Sequence, residues 1–358
     1  MQETRRFALA TLLALLPAAP AWAQFQITSA DGKHSLRFGI LGQVQAEGLD
    51  TADASDISRN LFVRRLRLLI GGQFGERVSF FVETDTANMG KAGADGRKGE
   101  TTLASLDARF TYSFSTAFKL DTGLLLIPNS HNSGQGATTL LPVDYGPYSF
   151  LASAPTGSRG GRDWGALARG YLAGNHIEYR AGVFQGARGA DSTAPFRYVG
   201  RAVWYPFEAE TDFFYSGTSF GKKRVVALGA SIDHQDDYNS YGVDAYVDYP
   251  VRGGDAVTVQ IDLLRYDGGE TFTALPRQDC LMVEAGYYFR TPRLGPFVQL
   301  ARRDFRTGRS PDEASYPAGL AYWDSGHQFN LKLGYSRLTR EGDPVRNQWV
   351  AQAQLFLF

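Results

Sequence analysis

From residue 35 onward the chain alternates. Leu36, Phe38, Ile40, Val44 and Ala46 share one parity, and Arg37, Gln43, Gln45 and Glu47 share the other. A period of two is that of a β-strand with one apolar and one polar face. The pattern recurs in Phe62, Leu66, Leu68, Ile70 and Phe74 against Arg65, Arg67 and Gln73. It is cleanest in Leu106, Ala108, Phe110, Tyr112 and Phe114 against Ser105, Asp107, Arg109, Thr111 and Ser113. The alternation predicts sixteen spans, at 35–47, 61–74, 78–85, 104–114, 118–127, 164–172, 176–184, 196–205, 225–233, 239–249, 255–266, 279–289, 295–304, 316–323, 328–337 and 347–358, with a short leading segment in 25–34. The span 316–323 is the weakest by pattern and is supported by the need for an even count.

A soluble sandwich also alternates, with its apolar face inward. Three features favour a membrane barrel instead. The spans run to about ten residues, close to the roughly 9–11 that a tilted spanning strand needs and longer than the mode of about 5–6 in soluble sheets. Aromatic residues gather near span ends, at Tyr112 and Phe114, Trp204 and Tyr205, Tyr322 and Trp323, and Trp349, as interfacial girdles do. Short connections such as Gly75–Arg77 and Asp324–His327 alternate with long ones such as Thr86–Leu103 and Pro128–Asp163. The connection Pro206–Arg224 breaks this rule, being long where a short turn is due. The expected fold is therefore all-β: a sixteen-stranded antiparallel transmembrane barrel with long extracellular loops, the third folded inward.

The N-terminus sets the compartment. Arg5 and Arg6, the apolar run Phe7–Leu16 and the small-x-small triplet Ala21-Trp22-Ala23 form a signal peptide over residues 1–23. Residues 24–358 are then one outer-membrane barrel domain. Composition agrees: glycine (40), phenylalanine (24) and tyrosine (18) are abundant, and Cys280 is the single cysteine, so no internal disulfide framework exists. Lys and Arg number 37 against 37 Asp and Glu, so no net charge draws nucleic acid. The five histidines are scattered without ligand spacing, and no cofactor or metal is expected.

Several stretches carry a resemblance. They are Phe62-Val63-Arg64-Arg65-Leu66-Arg67 leading through Phe80 to Glu83 and Asp85; Leu106-Asp107-Ala108 leading to Gly123 and Pro128; Gly161-Arg162-Asp163-Trp164-Gly165; Gly182-Val183-Phe184-Gln185-Gly186; Gly200-Arg201 before Pro206; and terminal Phe358. In this order they resemble the phosphate-selective porin O/P family of outer-membrane channels. The resemblance implies a trimer of sixteen-stranded barrels, each with a loop folded into its lumen. It departs in the third loop, Pro128 to Asp163, which has no lysine where phosphate-selective members are lysine-rich. It departs again in the last strand, where Phe356 and Phe358 share a parity with Gln352 and Gln354 while Trp349, Ala351, Ala353, Leu355 and Leu357 make the more apolar face.

If the apolar parity faces lipid, the polar parity lines a pore. Candidate anion-contacting residues are Arg37, Arg65, Arg67, Arg109, Arg197, Arg201 and Lys332, with Arg159, Arg162 and Asp144 as constriction-loop candidates. Arg37, Arg65, Arg67 and Arg109 lie on the first four spans and would form one basic stripe, whose guanidinium forks suit oxyanions. The competing reading pairs each arginine with a neighbouring carboxylate, which leaves only a shaped lumen. Arg64 falls on the lipid parity and would snorkel to the interface. The function expected is passive diffusion of small hydrophilic solutes with mild anion preference, its partners being small anions, outer-membrane lipid and two further copies of the chain. The alternatives are a barrel that sheathes a secreted or electron-carrying partner, and a barrel hydrolase built on His234 beside Asp233, Asp236 and Asp237.

Overall fold

The computed structural model describes residues 25–99, 101–308 and 310–358; the expected signal peptide lies outside the described residues. Each alternating span forms a strand. After a short β1 (Phe25–Thr28) come β2 (His34–Asp50), β3 (Ile57–Phe74), β4 (Val78–Asp85), β5 (Ala104–Ser113), β6 (Lys119–Leu126), β7 (Arg162–Leu172), β8 (Ile177–Phe184) and β9 (Arg197–Trp204). The second half holds β10 (Val225–Gln235), β11 (Tyr238–Pro250), β12 (Ala256–Asp267), β13 (Gln278–Tyr288), β14 (Leu294–Phe305), β15 (Glu313–Tyr322), β16 (Phe329–Arg340) and β17 (Arg346–Leu357). The weakest span, 316–323, is strand β15.

Every neighbour pairs antiparallel, and β17 returns to β2 with Leu357 opposite Ile40 and Gln348 opposite Leu49. Strands β2 to β17 thus close a sixteen-stranded barrel, with β1 pairing on the free start of β2, Phe25 opposite Phe38. Closure leaves no open edge, the condition a sheet must meet in lipid. Two amide pairs stitch the seam on its inner face: Gln43 Nε2 donates to Gln354 Oε1 at 2.7 Å and Gln45 Nε2 to Gln352 Oε1 at 2.8 Å.

The polarity is inside out. Leu61, Leu333, Ile232, Val298 and Trp349 are exposed on the outer surface, whereas Gln45, Asp121, Arg180 and Glu284 are buried inside. That settles the last strand. Gln352 and Gln354 are buried within, and Trp349, Ala351 and Leu355 face out. Phe358 follows the inner parity, its ring in a notch left by Gly39 and Gly71.

Two β-bulges correct the assigned parity. Gln43 and Val44 of β2 face Arg65 and Val63 of β3, so Arg64 is the extra residue. Glu83 and Thr84 of β4 face Asp107 and Ser105 of β5, so Leu106 is the extra residue there. One added residue exchanges the two faces beyond it. Phe62 and Leu106, expected toward lipid, are therefore buried inside, and Leu61 takes the outer position. Arg64 turns inward and does not snorkel.

Two connections enter the barrel. The first, residues 127–161, joins β6 to β7 and is the third long loop, L3. Its turn of helix α1 (His131–Gly134) starts at Ser130 with reciprocal Ser130–Ser133 capping bonds. L3 crosses the whole lumen. Asn132 N donates to Asp262 of β12 at 3.0 Å, Gln135 Nε2 to Gln260 at 2.8 Å, Gln354 Nε2 of β17 to Thr138 O at 2.9 Å, and Lys332 Nζ of β16 to Leu140 O and Pro142 O at 2.5 and 2.8 Å. The second is segment 205–224, the connection that broke the length rule. It rises from the short-turn end and docks on L3 through Gly136 N to Tyr215 O and Tyr215 N to Gly134 O, both 2.9 Å.

Candidate functional site in the barrel lumen

The inward parity of β6 to β9 sets four cations at one level. Lys119 faces Arg169, Arg169 faces Arg180, and Arg180 faces Arg201 across successive strand pairs. Like charges directly opposite repel, so the row needs anions between its members. Three strand carboxylates supply them. Arg169 Nε lies 2.5 Å from Asp121, Arg180 Nε 2.5 Å from Glu178, and Arg201 makes a two-pronged pair with Asp244 at 2.5 and 2.8 Å. Phe213 of segment 205–224 sits among them, 5.2 Å from the Arg169 guanidinium, 5.4 Å from that of Arg180 and 3.8 Å from that of Arg109.

Nearer the long-loop end the same pairing continues. Arg67 reaches Glu83 at 3.2 Å and Asp85 at 3.3 Å, Arg162 reaches Asp107 at 2.8 Å, and Arg197 Nε reaches Asp233 at 2.7 Å. Arg162, expected in the constriction loop, is the first residue of β7 and pairs on the wall. Removing one partner of such a buried pair leaves an uncompensated charge, so these pairs hold lumen shape more than they add net stability.

Arg64 and Arg65 differ. Their partner is Asp144, the single acid of L3. Arg64 Nε lies 2.7 Å from one carboxylate oxygen and Arg65 Nη2 2.5 Å from the other, and Tyr145 N donates at 2.9 Å. Burial alone would raise the Asp144 carboxyl, but the two guanidiniums hold it well below the usual carboxylate range. Arg65 also donates to Gln43 Oε1 at 2.8 Å.

A third group of cations has no carboxylate within ion-pair distance among the described residues. The guanidinium of Arg37 lies over Phe358 at 5.2 Å. Arg109 stacks on Phe213, its Nε and Nη1 buried without a hydrogen-bond partner. Lys332 lies under L3, on the two carbonyls already named. Arg159 projects from L3 and is exposed.

The expected stripe of Arg37, Arg65, Arg67 and Arg109 therefore divides. Arg65 and Arg67 are neutralised near the long-loop end, while Arg37 and Arg109 stack on rings. Arg197, Arg201 and Lys332 are sealed by their partners. The level row on β6 to β9 was not foreseen, although Lys119, Arg169, Arg180 and Arg201 are all visible on polar parity. What was missing was register, which fixes their common height. Segment 205–224 did carry a signal: an excess length together with Phe213-Phe214-Tyr215 in a polar stretch.

Above L3 opens a vestibule of about 1080 Å³. Eight cations line it (Arg64, Arg65, Arg67, Lys91, Arg159, Arg162, Arg340 and Arg346) against five carboxylates (Glu47, Asp85, Asp144, Glu313 and Asp343). Below, His131 of α1 locks L3 to segment 205–224. Its ring stacks between Tyr215 at 4.8 Å and Tyr246 at 3.8 Å, and Nε2 lies 2.8 Å from Glu210. Burial would lower its pKa, but Glu210 outweighs burial and the net direction is up.

The candidate cluster around His234 comes apart. Asp233 points inward to Arg197, His234 Nδ1 lies 2.9 Å from Asn239, and Asp237 caps the backbone at Glu270 and Thr271.

Comparison with known proteins agrees with this architecture. The family model for phosphate-selective porin O and P matches residues 38–247. No curated protein sequence matches the chain. Among solved structures, Salmonella typhi OmpF in complex with daunomycin superposes with a TM-score of 0.61 at 13% identity, over 92% of this chain and 99% of that one. The outer-membrane channel DcaP of Acinetobacter baumannii superposes at 0.60 with 11% identity, again over 92% and 99%. The trimer form of OmpT, an outer-membrane protein of Vibrio cholerae, superposes at 0.58 with 10% identity over 90% and 99%. The matched residues run from β2 into β11, take in L3 and segment 205–224, and make up more than half of the sequence, so the chain belongs to the phosphate-selective porin O and P family of outer-membrane channels.

Proposed function

We propose that this outer-membrane porin passes small hydrophilic solutes by diffusion and favours anions mildly. The observation that carries the reading is the vestibule, where eight cations face five carboxylates. A mouth with excess charge of one sign raises the local concentration of the opposite ion. Arg159, exposed and unpaired among the described residues, adds to that field. The preference is for anions in general. L3 holds no lysine. Of the lysines along the lumen, Lys91 is paired with Glu47 at 2.7 Å, Lys332 is bound to backbone carbonyls, and Lys119 stands in the row opposite Arg169. Single-channel recordings test this. Phosphate is expected to lower chloride current no more than sulfate does. Block by phosphate at concentrations far below that of chloride would restore a phosphate-specific channel.

The short-turn end faces the periplasm in this reading and residues 1–23 are an export leader removed on the way. A homotrimer is favoured by the wall from β6 to β9. Strands β6, β8 and β9 have eight residues each, short of the roughly 9–11 that span a bilayer. Small residues Ala166, Ala168, Gly170 and Ala181 lie on the outer parity there. Cross-linking that yields monomers alone would overturn the trimer. The sheath reading is disfavoured by a lumen crossed by two of the protein's own segments, and the hydrolase reading by the dispersal of the residues around His234.

A further inference from the structure

Asp144 stands apart from the lumen carboxylates carried by the strands. Asp85, Asp107, Asp121, Glu178, Asp233 and Asp244 all belong to strands, whereas Asp144 comes from L3. Its two oxygens rest on two different guanidiniums, at 2.7 Å and 2.5 Å. One of these, Arg64, reaches the lumen only because a β-bulge turns it from the lipid side. Bulges often re-aim a side chain at a functional site. The result is a fork of two cations facing one carboxylate, the arrangement by which a protein binds a carboxylate ligand. The group it holds is about one-third exposed, and Asp144, Arg64 and Arg65 all line the vestibule.

We propose that the Arg64–Arg65 fork is a binding site for the carboxylate group of an organic solute, and that the channel keeps it occupied with Asp144 until such a solute takes its place. The inference rests on the anion-channel reading above. Exchange needs only a side-chain rotation. The backbone on either side of Asp144 is tied, by Lys332 to Pro142 O at 2.8 Å and by Gly146 N to Asn132 Oδ1 at 3.1 Å. L3 therefore stays in place while the carboxylate swings away. The body of the solute meets Phe62, Phe150 and Phe297, which line the same vestibule. An organic acid with an apolar body fits this setting better than a bare inorganic anion. Arg159, exposed on L3, offers the first cation on the way in. Because the internal carboxylate competes for the fork, binding stays weak enough for release, which a channel requires.

The test is block of chloride current by benzoate in planar bilayers, for the parent, Asp144→Asn and Arg64→Gln proteins. Folding of each is confirmed by the heat-modifiable mobility of an intact barrel. Asp144→Asn removes the competitor and is expected to lower the half-blocking benzoate concentration about tenfold, the equivalent of about 1.4 kcal/mol. Arg64→Gln dismantles the fork and is expected to raise it by a similar factor. An Asp144→Asn barrel blocked at the parent's concentration overturns the proposal. If Asp144→Asn fails to fold, Arg64→Gln decides, and an unchanged midpoint there overturns it. The two readings fail separately. Cation preference in the parent sinks the anion channel, whereas retained anion preference with benzoate block indifferent to these substitutions sinks only the exchange site.

Discussion

Gly39 and Gly71 face the lumen on neighbouring strands, and the ring of Phe358 fills the space where their side chains would stand. A Cβ at Gly71 would approach that ring to 2.9 Å, closer than van der Waals contact allows. Gly71→Val is therefore expected to unseat Phe358 from Arg37 and to destabilise the barrel by about 1–3 kcal/mol, read as a lower denaturant midpoint and a lower refolding yield. An unchanged midpoint would contradict the seating. Two histidines outside the strands act with opposite sign on stability. His327, packed on Phe220 at 4.6 Å, is held neutral by burial, its pKa lowered to about 4. Between about 6.5 and 4 the unfolded chain takes up a proton that the folded chain refuses, so stability falls as pH drops through that window. For His131 the direction is up. Its contribution is complete below about 6.5 and is lost as pH rises through its raised value. His327→Gln is expected to flatten the acid limb of stability against pH, and His131→Gln the alkaline limb. Denaturant midpoints across pH 4 to 9 check both. None of these environments was legible in the sequence, because deciding partners come from distant segments: Phe358 for Gly71, Glu210 for His131 and Phe220 for His327.

At the scale of elements, the strands were legible to within four residues at either end, because lipid on one side and polar side chains on the other impose a period of two on every span. Strand β15 shows how far that reaches: its pattern was weak, yet an even strand count required it. The two bulges were not legible. An extra residue in one strand is defined only against its partner, and Arg64 and Leu106 looked like ordinary members of their parity. The same limit hid the cation row, since Lys119, Arg169, Arg180 and Arg201 share a height only once four strands are in register. Segment 205–224 was visible as an anomaly of length but not as an inward one. It places Phe213 among the guanidiniums of Arg109, Arg169 and Arg180 and Tyr215 against α1. Replacing residues 207–222 by a two-residue turn is expected to raise single-channel conductance by removing those rings. Conductance at or below the parent value, in a folded barrel, would show that the segment does not restrict the path.

At the scale of the molecule, equal numbers of basic and acidic residues become a partition. Lipid-facing parity holds the aliphatic and aromatic side chains, and the lumen holds most of the strand charge, largely in mutual pairs. The sequence analysis left open whether a basic stripe stood free or was neutralised. The stripe does not stand free: Arg65 and Arg67 are paired with carboxylates, and Arg37 and Arg109 stack on rings. Around the vestibule, cations still outnumber carboxylates among the lining residues, eight to five. That excess is the central claim, and the zero-current potential of single channels in a gradient of potassium chloride tests it most directly. The account predicts a potential whose sign reports chloride as the more permeant ion, displaced toward zero by high salt as screening grows. A potential of the opposite sign, with potassium more permeant, would contradict it.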